Sequence, residues 1–401
     1  MSFEFIQELI VSNQTKIVML ILDGLGGLPL VAGGKTELET AHTPHLDMLA
    51  AQSALGLTQP VMPGITVGSG PGHLAIFGYD PLKYQIGRGV MEVMGVNFIL
   101  QSGDLAARGN FCTVNANGQL IDRRAGRMPT HIGQELAELL RKIRIDGAEF
   151  FIEPVKEHRF AFIARAPDLD AELSETDPLK VGVEPLTVTA LRPGAEKTAR
   201  LLNQFIAQAR QLLSAQKPAN MILLRGFDKL PVLPTFPELY GLRSAAIAVN
   251  GMYCGVARLA GMQVLPVDGD TPLDEFLTLE KYWKDFDFFY LHIKKTDTCG
   301  ESGDFAGKVG AIEEVDGLIP HLLALEPDVV IVGGDHSSPA VLKEHSWHPV
   351  PVLLYSKFVR PDGIPKFGER ACLHGSLGVL PAHHIMPIAL ANAGRIAKYG
   401  A

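Results

Sequence analysis

Only four cysteines occur in 401 residues, and Cys112, Cys254, Cys299 and Cys372 stand far apart with no C-x-x-C pair. That spacing excludes the dense disulfide framework of small secreted domains and predicts a reducing, cytoplasmic setting. Long hydrophobic runs are missing as well, since none approaches the ~18–20 residues that span a bilayer. Glu4 and Glu8 stand where an export signal carries Lys or Arg ahead of an apolar stretch. Positive charge is in deficit, with 36 Lys and Arg against 44 Asp and Glu and a net charge of −8 at pH 7. Such a chain lacks the basic footprint that holds nucleic acid or an anionic membrane, so an anionic substrate has to be met by local arginines. Internal repeats, low-complexity tracts and long linkers are absent too. What is present is the composition of a globular enzyme, 47% hydrophobic and 20% charged, which excludes a disordered chain or a coiled coil. At roughly 150 residues per domain, the length fits two or three domains, or one large core with an insertion.

Continuous apolar runs predict strands at Lys16–Leu22, Ala245–Val249, Gln263–Val267, Asp287–Ile293, Asp328–Val332 and Val350–Tyr355. Runs without alternation belong to strands buried on both faces, hence to a mostly parallel sheet. Helical periodicity between them, as at Asp304–Leu325 with Val309, Ile312, Val315, Ile319 and Leu322 on one face, completes a doubly wound α/β core. Between Gly103 and Pro231 the pattern changes to strand 108–115, helix 130–144, strands 149–155 and 159–164, helix 194–213 and strand 220–225. This β-α-β-β-α-β order predicts a small α+β, ferredoxin-like domain at 103–231, inserted between core segments 1–102 and 232–401. The acidic, proline-rich stretch Pro167–Pro185 reads as its most mobile loop.

Three constellations carry chemistry. Asp23, Asp297, Asp335, His336 and His345 each lie at or just after a predicted strand end, where open α/β sheets bind ligands. A mixed carboxylate and imidazole set suits one or two divalent cations open to substrate. His348 competes with His345 on spacing alone. Ser69 lies among Gly64, Gly68, Gly70 and Gly72 just ahead of an apolar helix, a place for a nucleophile beside backbone N–H groups. Asp122-Arg123-Arg124-Ala125-Gly126-Arg127, with Arg88, Arg192 and Arg225, offers guanidinium forks for phosphate or carboxylate. Taken singly, each feature has a bland reading, because an Asp after a strand usually caps or turns, a Gly/Ser stretch is usually a loop, and one arginine is usually solvated.

Taken in order, HLAIFGYDP, DRRAGR, HIKKTD and GDHSSPAVLKEHSWHPVPVLL give the chain a resemblance to the cofactor-independent phosphoglycerate mutases of the archaeal type, in the alkaline phosphatase superfamily. The resemblance runs from about Lys16 to Lys398. It implies a sheet of alkaline-phosphatase type, Ser69 as the transiently phosphorylated nucleophile, and Asp23, Ser69, Asp335 and His336 as ligands of one metal. Asp297 and His345 match ligands of a second metal. The bacterial branch has His four residues after that Asp, whereas this chain has Glu301, which binds hard cations through oxygen and favours Mg2+ or Mn2+ over Zn2+ or Co2+. Met252 stands where the bacterial branch uses a lysine, leaving Lys294 or Lys295 to supply that charge.

The implied reaction interconverts 3-phosphoglycerate and 2-phosphoglycerate, in glycolysis and gluconeogenesis, without 2,3-bisphosphoglycerate because the serine stores the phosphoryl group. The insertion would act as a lid, with Arg123, Arg124 and Arg127 on the substrate carboxylate, Asp122 moving the hydroxyl proton, and Arg88, Arg192, Arg225 and Lys295 as further substrate contacts. The partner is a small molecule, neither nucleic acid nor membrane, and a homo-oligomer is compatible with the sequence. Competing readings are a metal-dependent phosphatase or sulfatase on the same core, a phosphopentomutase-like enzyme, and a catalytically dead metal-binding relative. The DRRAGR insertion argues against the first two, and the presence of Ser69 with the ligand positions argues against the last.

Overall fold

A computed structural model describes residues 4–96 and 98–400. In chain order its strands are β1 (Ile17–Leu22), β2 (Ala54–Gln59), β3 (Leu105–Val114), β4 (Leu120–Asp122), β5 (Glu149–Pro154), β6 (Arg159–Arg165), β7 (Met221–Lys229), β8 (Ser244–Ile247), β9 (Gln263–Val264), β10 (Phe288–Ile293), β11 (Val329–Gly333), β12 (Val350–Ser356) and β13 (Gly378–Pro381). They form two compact units, one of Met1–Gln85 with Leu233–Ala401, the other of Ile86–Val232.

The first unit is built on an eight-stranded sheet in the order β13-β2-β12-β11-β1-β10-β8-β9. From β11 to β9 neighbours are parallel, while β12 runs antiparallel to β11 and to β2. β1, β10 and β11 are buried along their whole length, as unbroken apolar runs require. The two-residue period sorts side chains between faces. Val18, Leu20, Leu22, Phe289, Leu291 and Ile293 share one core with Ile312, Val315 and Ile319 of the helices behind that face. Tyr290 points the other way and meets Phe77, just past the helix Ser69–Ile76, edge-on at 4.9 Å. Helices therefore cover both faces, the doubly wound arrangement. β2 and β13 escaped the sequence reading because one mixes Gly, Thr and Gln into its run and the other has only four residues. The helix expected over Asp304–Leu325 is two, Phe305–Asp316 and Ile319–Leu323, interrupted at Gly317-Leu318 ahead of Pro320, whose ring and missing N–H forbid continuation.

In the second unit the antiparallel order is β5-β6-β3-β7, with β4 pairing the end of β3. The split β-α-β-β-α-β arrangement is thus present, its helices Thr130–Leu140 and Glu196–Leu213 sharing one core with the sheet through Leu136, Leu140, Leu202 and Phe205. The unit begins at Ile86 rather than at residue 103, because the helix Arg88–Met94 lies directly on β3 and β7. A side chain at Gly89 would come within 2.5 Å of the carbonyls of Ala106 and Gly226, so only glycine allows that approach. The Pro167–Pro185 stretch is tied down: the Thr176 N–H donates to Leu224 O at 3.0 Å and Asp177 is buried.

Candidate active site

Strands β11, β1 and β10 are adjacent and parallel, so the residues following them meet at one sheet edge. Leu22 pairs with Ile293 and Ile21 with Gly333. Asp23, Asp297 and Asp335 follow these ends and are 0%, 1% and 0% exposed. Ser69 is the first residue of its helix, and Gly68, at the cap, supplies no side chain to bond the free N–H groups. The Ser69 hydroxyl lies 3.1 Å from His336 Nε2. A Cβ on Gly72 would stand 2.6 Å from the carbonyl oxygen of Asp335, so this glycine lets the serine helix rest on the turn carrying Asp335 and His336.

Two overlapping donor sets result, Asp23 with Asp335 and His336, and Asp297 with His336 and His345, each with ligand atoms within 4.8 Å of one another. Asp23 Oδ1 and Asp335 Oδ2 are buried and accept no hydrogen bond of proper geometry among the described residues, although His336 Nε2 lies 3.3 Å and 3.2 Å from them. Buried anionic oxygens without donors are costly, and a divalent cation is the group that satisfies them. His345 Nδ1 donates to Val67 O at 2.9 Å, which fixes its tautomer and turns Nε2 toward Asp297 at 3.5 Å and half-exposed Glu301 at 3.4 Å. His348 instead bonds the Ser346 hydroxyl at 3.0 Å. His345, and not His348, thus belongs to a donor set, with Glu301 beside it.

The surrounding charges are arranged to keep the carboxylates ionised. Burial pushes the Asp335 carboxyl up, but His336 and His73 outweigh it and hold the group far below the usual carboxylate range. Burial and the Asp335 charge push Asp23 up, and the hydrogen bond from His292 with the Lys294 charge hold it down. Burial lowers the pKa of His336 and His292 from the ordinary imidazole value, against the opposing pull of Asp23 and Asp335. Lys294 donates to Asp23 at 3.0 Å, Asp297 at 2.6 Å and the Tyr253 hydroxyl at 2.8 Å.

The second unit holds a cavity of 370 Å³ lined by seven arginines, Arg88, Arg108, Arg123, Arg124, Arg127, Arg159 and Arg225, together with Asn110, Glu157 and His158. Carboxylates position some of them. Arg123 forks onto buried Asp177 at 2.8 and 2.7 Å, Arg225 reaches the same carboxylate at 3.4 Å, and Arg108 meets Glu92. Arg88, Arg124 and Arg127 form no ion pair among the described residues. Ala125, Gly126 and Arg127 all have left-handed φ values of 45°, 67° and 49°. This strained run is held by the Asp122 carboxylate, which accepts the N–H groups of Arg124 at 2.7 Å and Gly126 at 2.6 Å.

A family model described as 2,3-bisphosphoglycerate-independent phosphoglycerate mutase matches residues 50–220. A probable 2,3-bisphosphoglycerate-independent phosphoglycerate mutase of Aquifex aeolicus is 48% identical over 99% of this chain and 100% of that protein. The chain belongs to this mutase family. Among solved structures, a Pyrococcus horikoshii protein superimposes with a TM-score of 0.81 at 30% identity, over 97% of this chain and all of that one. The cofactor-independent phosphoglycerate mutase of Thermoplasma acidophilum does so with a TM-score of 0.77 at 28% identity, over 95% and 100%.

Several expected site residues of the mutase have other positions. Lys295 pairs with Glu314 at 2.8 Å, so Lys294 is the lysine that enters the carboxylate cluster. Arg192 is bound to Asp170 at 2.8 Å and does not line the arginine cavity. Asp122 commits both oxygens to backbone amides, which suits holding the turn rather than moving a proton. Met252 is half-buried, its N–H capped by Asn250. Sequence reasoning missed His73, which donates to Ser69 O at 2.8 Å and faces Asp335 at 3.1 Å, although its place four residues after Ser69 puts it on the same helix face. It also missed His292, 3.2 Å from Asp23 Oδ2, whose signal was one polar residue inside the run FFYLHI. Arg108, Arg159 and His158 carried no local motif and are gathered only by the antiparallel pairing of β3 with β6.

Proposed function

We propose that this mutase interconverts 3-phosphoglycerate and 2-phosphoglycerate through a phosphoserine on Ser69, with two divalent cations and no 2,3-bisphosphoglycerate. The observation that carries the reading is the Ser69 hydroxyl, held at a helix N-terminus beside buried carboxylate oxygens that lack donors. Asp23, Ser69, Asp335 and His336 would hold one cation, and Asp297, Glu301 and His345 the other. The oxygen-rich second set favours Mn2+ or Mg2+. When bound, such cations ease deprotonation of a serine hydroxyl and neutralise charge on phosphoryl oxygens.

Ser69 Oγ attacks phosphorus, the bond to the substrate's C3 oxygen breaks, and that oxygen takes up a proton. The phosphoryl group then passes from Ser69 to the C2 oxygen, which loses its proton as the new bond forms. First-turn N–H groups of the Ser69 helix stabilise negative charge near the phosphoryl group. The Gly24 N–H, donating to Asp335 Oδ1 at 3.1 Å, and His292 keep the Asp335 and Asp23 carboxylates aimed, with His73 close beside Asp335. In the insertion, Arg88, Arg124 and Arg127, which form no ion pair among the described residues, bind the carboxylate and phosphate of the substrate, while Asp177 and Asp122 keep the cavity in shape. Retaining glycerate and excluding water is the function of the insertion as a substrate-binding lid. No helix among the described residues is long and apolar enough to cross a membrane.

The test is a two-channel assay on metal-stripped protein given 3-phosphoglycerate and Mn2+ without bisphosphoglycerate, following 2-phosphoglycerate and free phosphate together. The proposal expects 2-phosphoglycerate with little phosphate. Phosphate alone would move the protein to the phosphatase reading.

A further inference from the structure

Lys308 is fully buried on the helix Phe305–Asp316, and no carboxylate lies within ion-pair distance of it among the described residues. Its ammonium donates to Gly24 O at 2.8 Å, Ser338 O at 2.9 Å and Gly26 O at 3.0 Å, which uses all three of its protons. The acceptors come from two different segments, the turn after Asp23 and the turn after Asp335-His336. Burial pulls the pKa of Lys308 down, while the nearby charges of Glu37 and Glu369 oppose that.

Those two glutamates grip the opposite backbone group, Glu37 on both turns and Glu369 on the first. Glu37 accepts the N–H of Leu28 at 3.1 Å from the first turn and that of Ala340 at 2.7 Å from the second. Glu369 accepts the Gly27 N–H at 2.9 Å and the Thr36 hydroxyl at 2.6 Å. The turns also touch directly, with Ser338 N–H donating to Gly26 O at 3.0 Å. Ser338 carries the arrangement into the donor sets, because its hydroxyl donates to Asp297 Oδ1 and lies 3.1 Å from His336 Nδ1. Burying an ammonium is expensive, and an apolar side chain of similar length would pack on this helix without that cost. What the ammonium provides is a fixed separation between two backbone turns that each carry candidate metal ligands.

We propose that Lys308, with Glu37 and Glu369, is a positioning device that sets the spacing of the Asp23 turn against the Asp335-His336-Ser338 turn and so determines the affinity and coordination geometry of the divalent cation. The inference rests on the metal-centre reading given above. It differs from a contribution to stability alone, because Ile312, buried on the same helix, packs in the core and offers no hydrogen bond to either turn.

The experiment titrates Co2+ and Mn2+ into metal-stripped full-length wild type, Lys308→Met and Ile312→Val, reading dissociation constants and the visible Co2+ spectrum. Lys308→Met is expected to bind about 10- to 100-fold more weakly, with an altered Co2+ spectrum, as losses of groups that orient ligands do. Ile312→Val, though less stable, keeps the wild-type constants and spectrum. Wild-type affinity and spectrum in Lys308→Met overturn the positioning role while leaving the metal centre standing. No binding by wild type overturns both. Should Lys308→Met fail to fold, Glu37→Gln replaces it, with several-fold weaker binding expected and unchanged binding counting against the proposal.

Discussion

Removing the Lys294 ammonium should cost much more stability without a divalent cation than with one. Nζ lies 3.0 Å from Asp23 Oδ2 and 2.6 Å from Asp297 Oδ2, and both carboxylates are buried. At an effective dielectric of about 20, Coulomb's law gives roughly 5.5–6.5 kcal/mol of gross attraction for each contact. Desolvation offsets most of that, and breaking a buried pair by deleting one partner costs about 3–5 kcal/mol net. The lysine side chain is 27% exposed, so solvent screening reduces the expected loss to about 2–3 kcal/mol for Lys294→Met in chelator. Two bound divalent cations would compensate the same two carboxylates, one at Asp23 and one at Asp297, so in saturating Mn2+ the loss should shrink below about 1 kcal/mol. By linkage the difference of about 2 kcal/mol must appear as cation binding roughly 30-fold tighter in Lys294→Met than in wild type. Urea unfolding with EDTA and with Mn2+, combined with calorimetric titration of Mn2+, measures both quantities. Equal destabilisation under the two conditions, or weaker Mn2+ binding by the variant, would refute the argument that Lys294 and the cation answer to the same charges.

Arg124→Ala removes one unpaired guanidinium from the cavity and should raise the ratio of phosphate release to mutase turnover about tenfold, the worth of one charge-assisted hydrogen bond; an unchanged ratio with an intact fold counts against the retaining role. Asp177→Asn should destabilise the insertion by about 1.5–3 kcal/mol at pH 7. Burial pushes the Asp177 carboxyl up, but Arg123 outweighs it and holds the group low, so its stabilisation is present above the unfolded carboxylate value of about 3.9 and is lost as pH falls below it. Denaturant unfolding should therefore show the gap between wild type and Asp177→Asn closing below about pH 4. Glu275 is the reverse case, with burial pushing its carboxyl up to about 9, so wild type loses stability as pH rises from the unfolded value of about 4.3 toward 9. Glu275→Gln should match wild type near pH 4.5 and exceed it by a few kcal/mol near pH 9; parallel pH profiles in thermal melts would show the assignment to be wrong.

Much of the core was legible because its strands are unbroken apolar runs, a pattern that only a sheet covered on both faces produces. Asp23, Asp297 and Asp335 could be named since each follows such a run, and parallel pairing with matched register does bring those ends together. The order of the inserted strands was readable for a similar reason, as its helices carry clear apolar faces. The start of the insertion was not, because the packing of Arg88–Met94 on β3 and β7 depends on Gly89, and a glycine in a short helix carries no signal of what it touches. Roles that depend on direction were also hidden. Asp122 has the right residue type for proton transfer, but a left-handed turn engages both of its oxygens. Lys294 and Lys295 are adjacent in sequence, and only the start of the helix Lys295–Ser302 decides which faces the carboxylates. Nothing in the sequence around Lys308 signals its three carbonyl partners, which lie on two turns distant in the chain.

The central claim is that Ser69 carries the phosphoryl group during turnover. Mn2+-loaded protein mixed with 3-phosphoglycerate, quenched in acid within the first turnovers and analysed by peptide mass spectrometry, tests it directly. Phosphate should be found on Ser69, should be absent after EDTA treatment, and should be absent from Ser69→Ala together with mutase activity. Formation of 2-phosphoglycerate without any phosphoserine, or phosphate on another residue, would contradict the account.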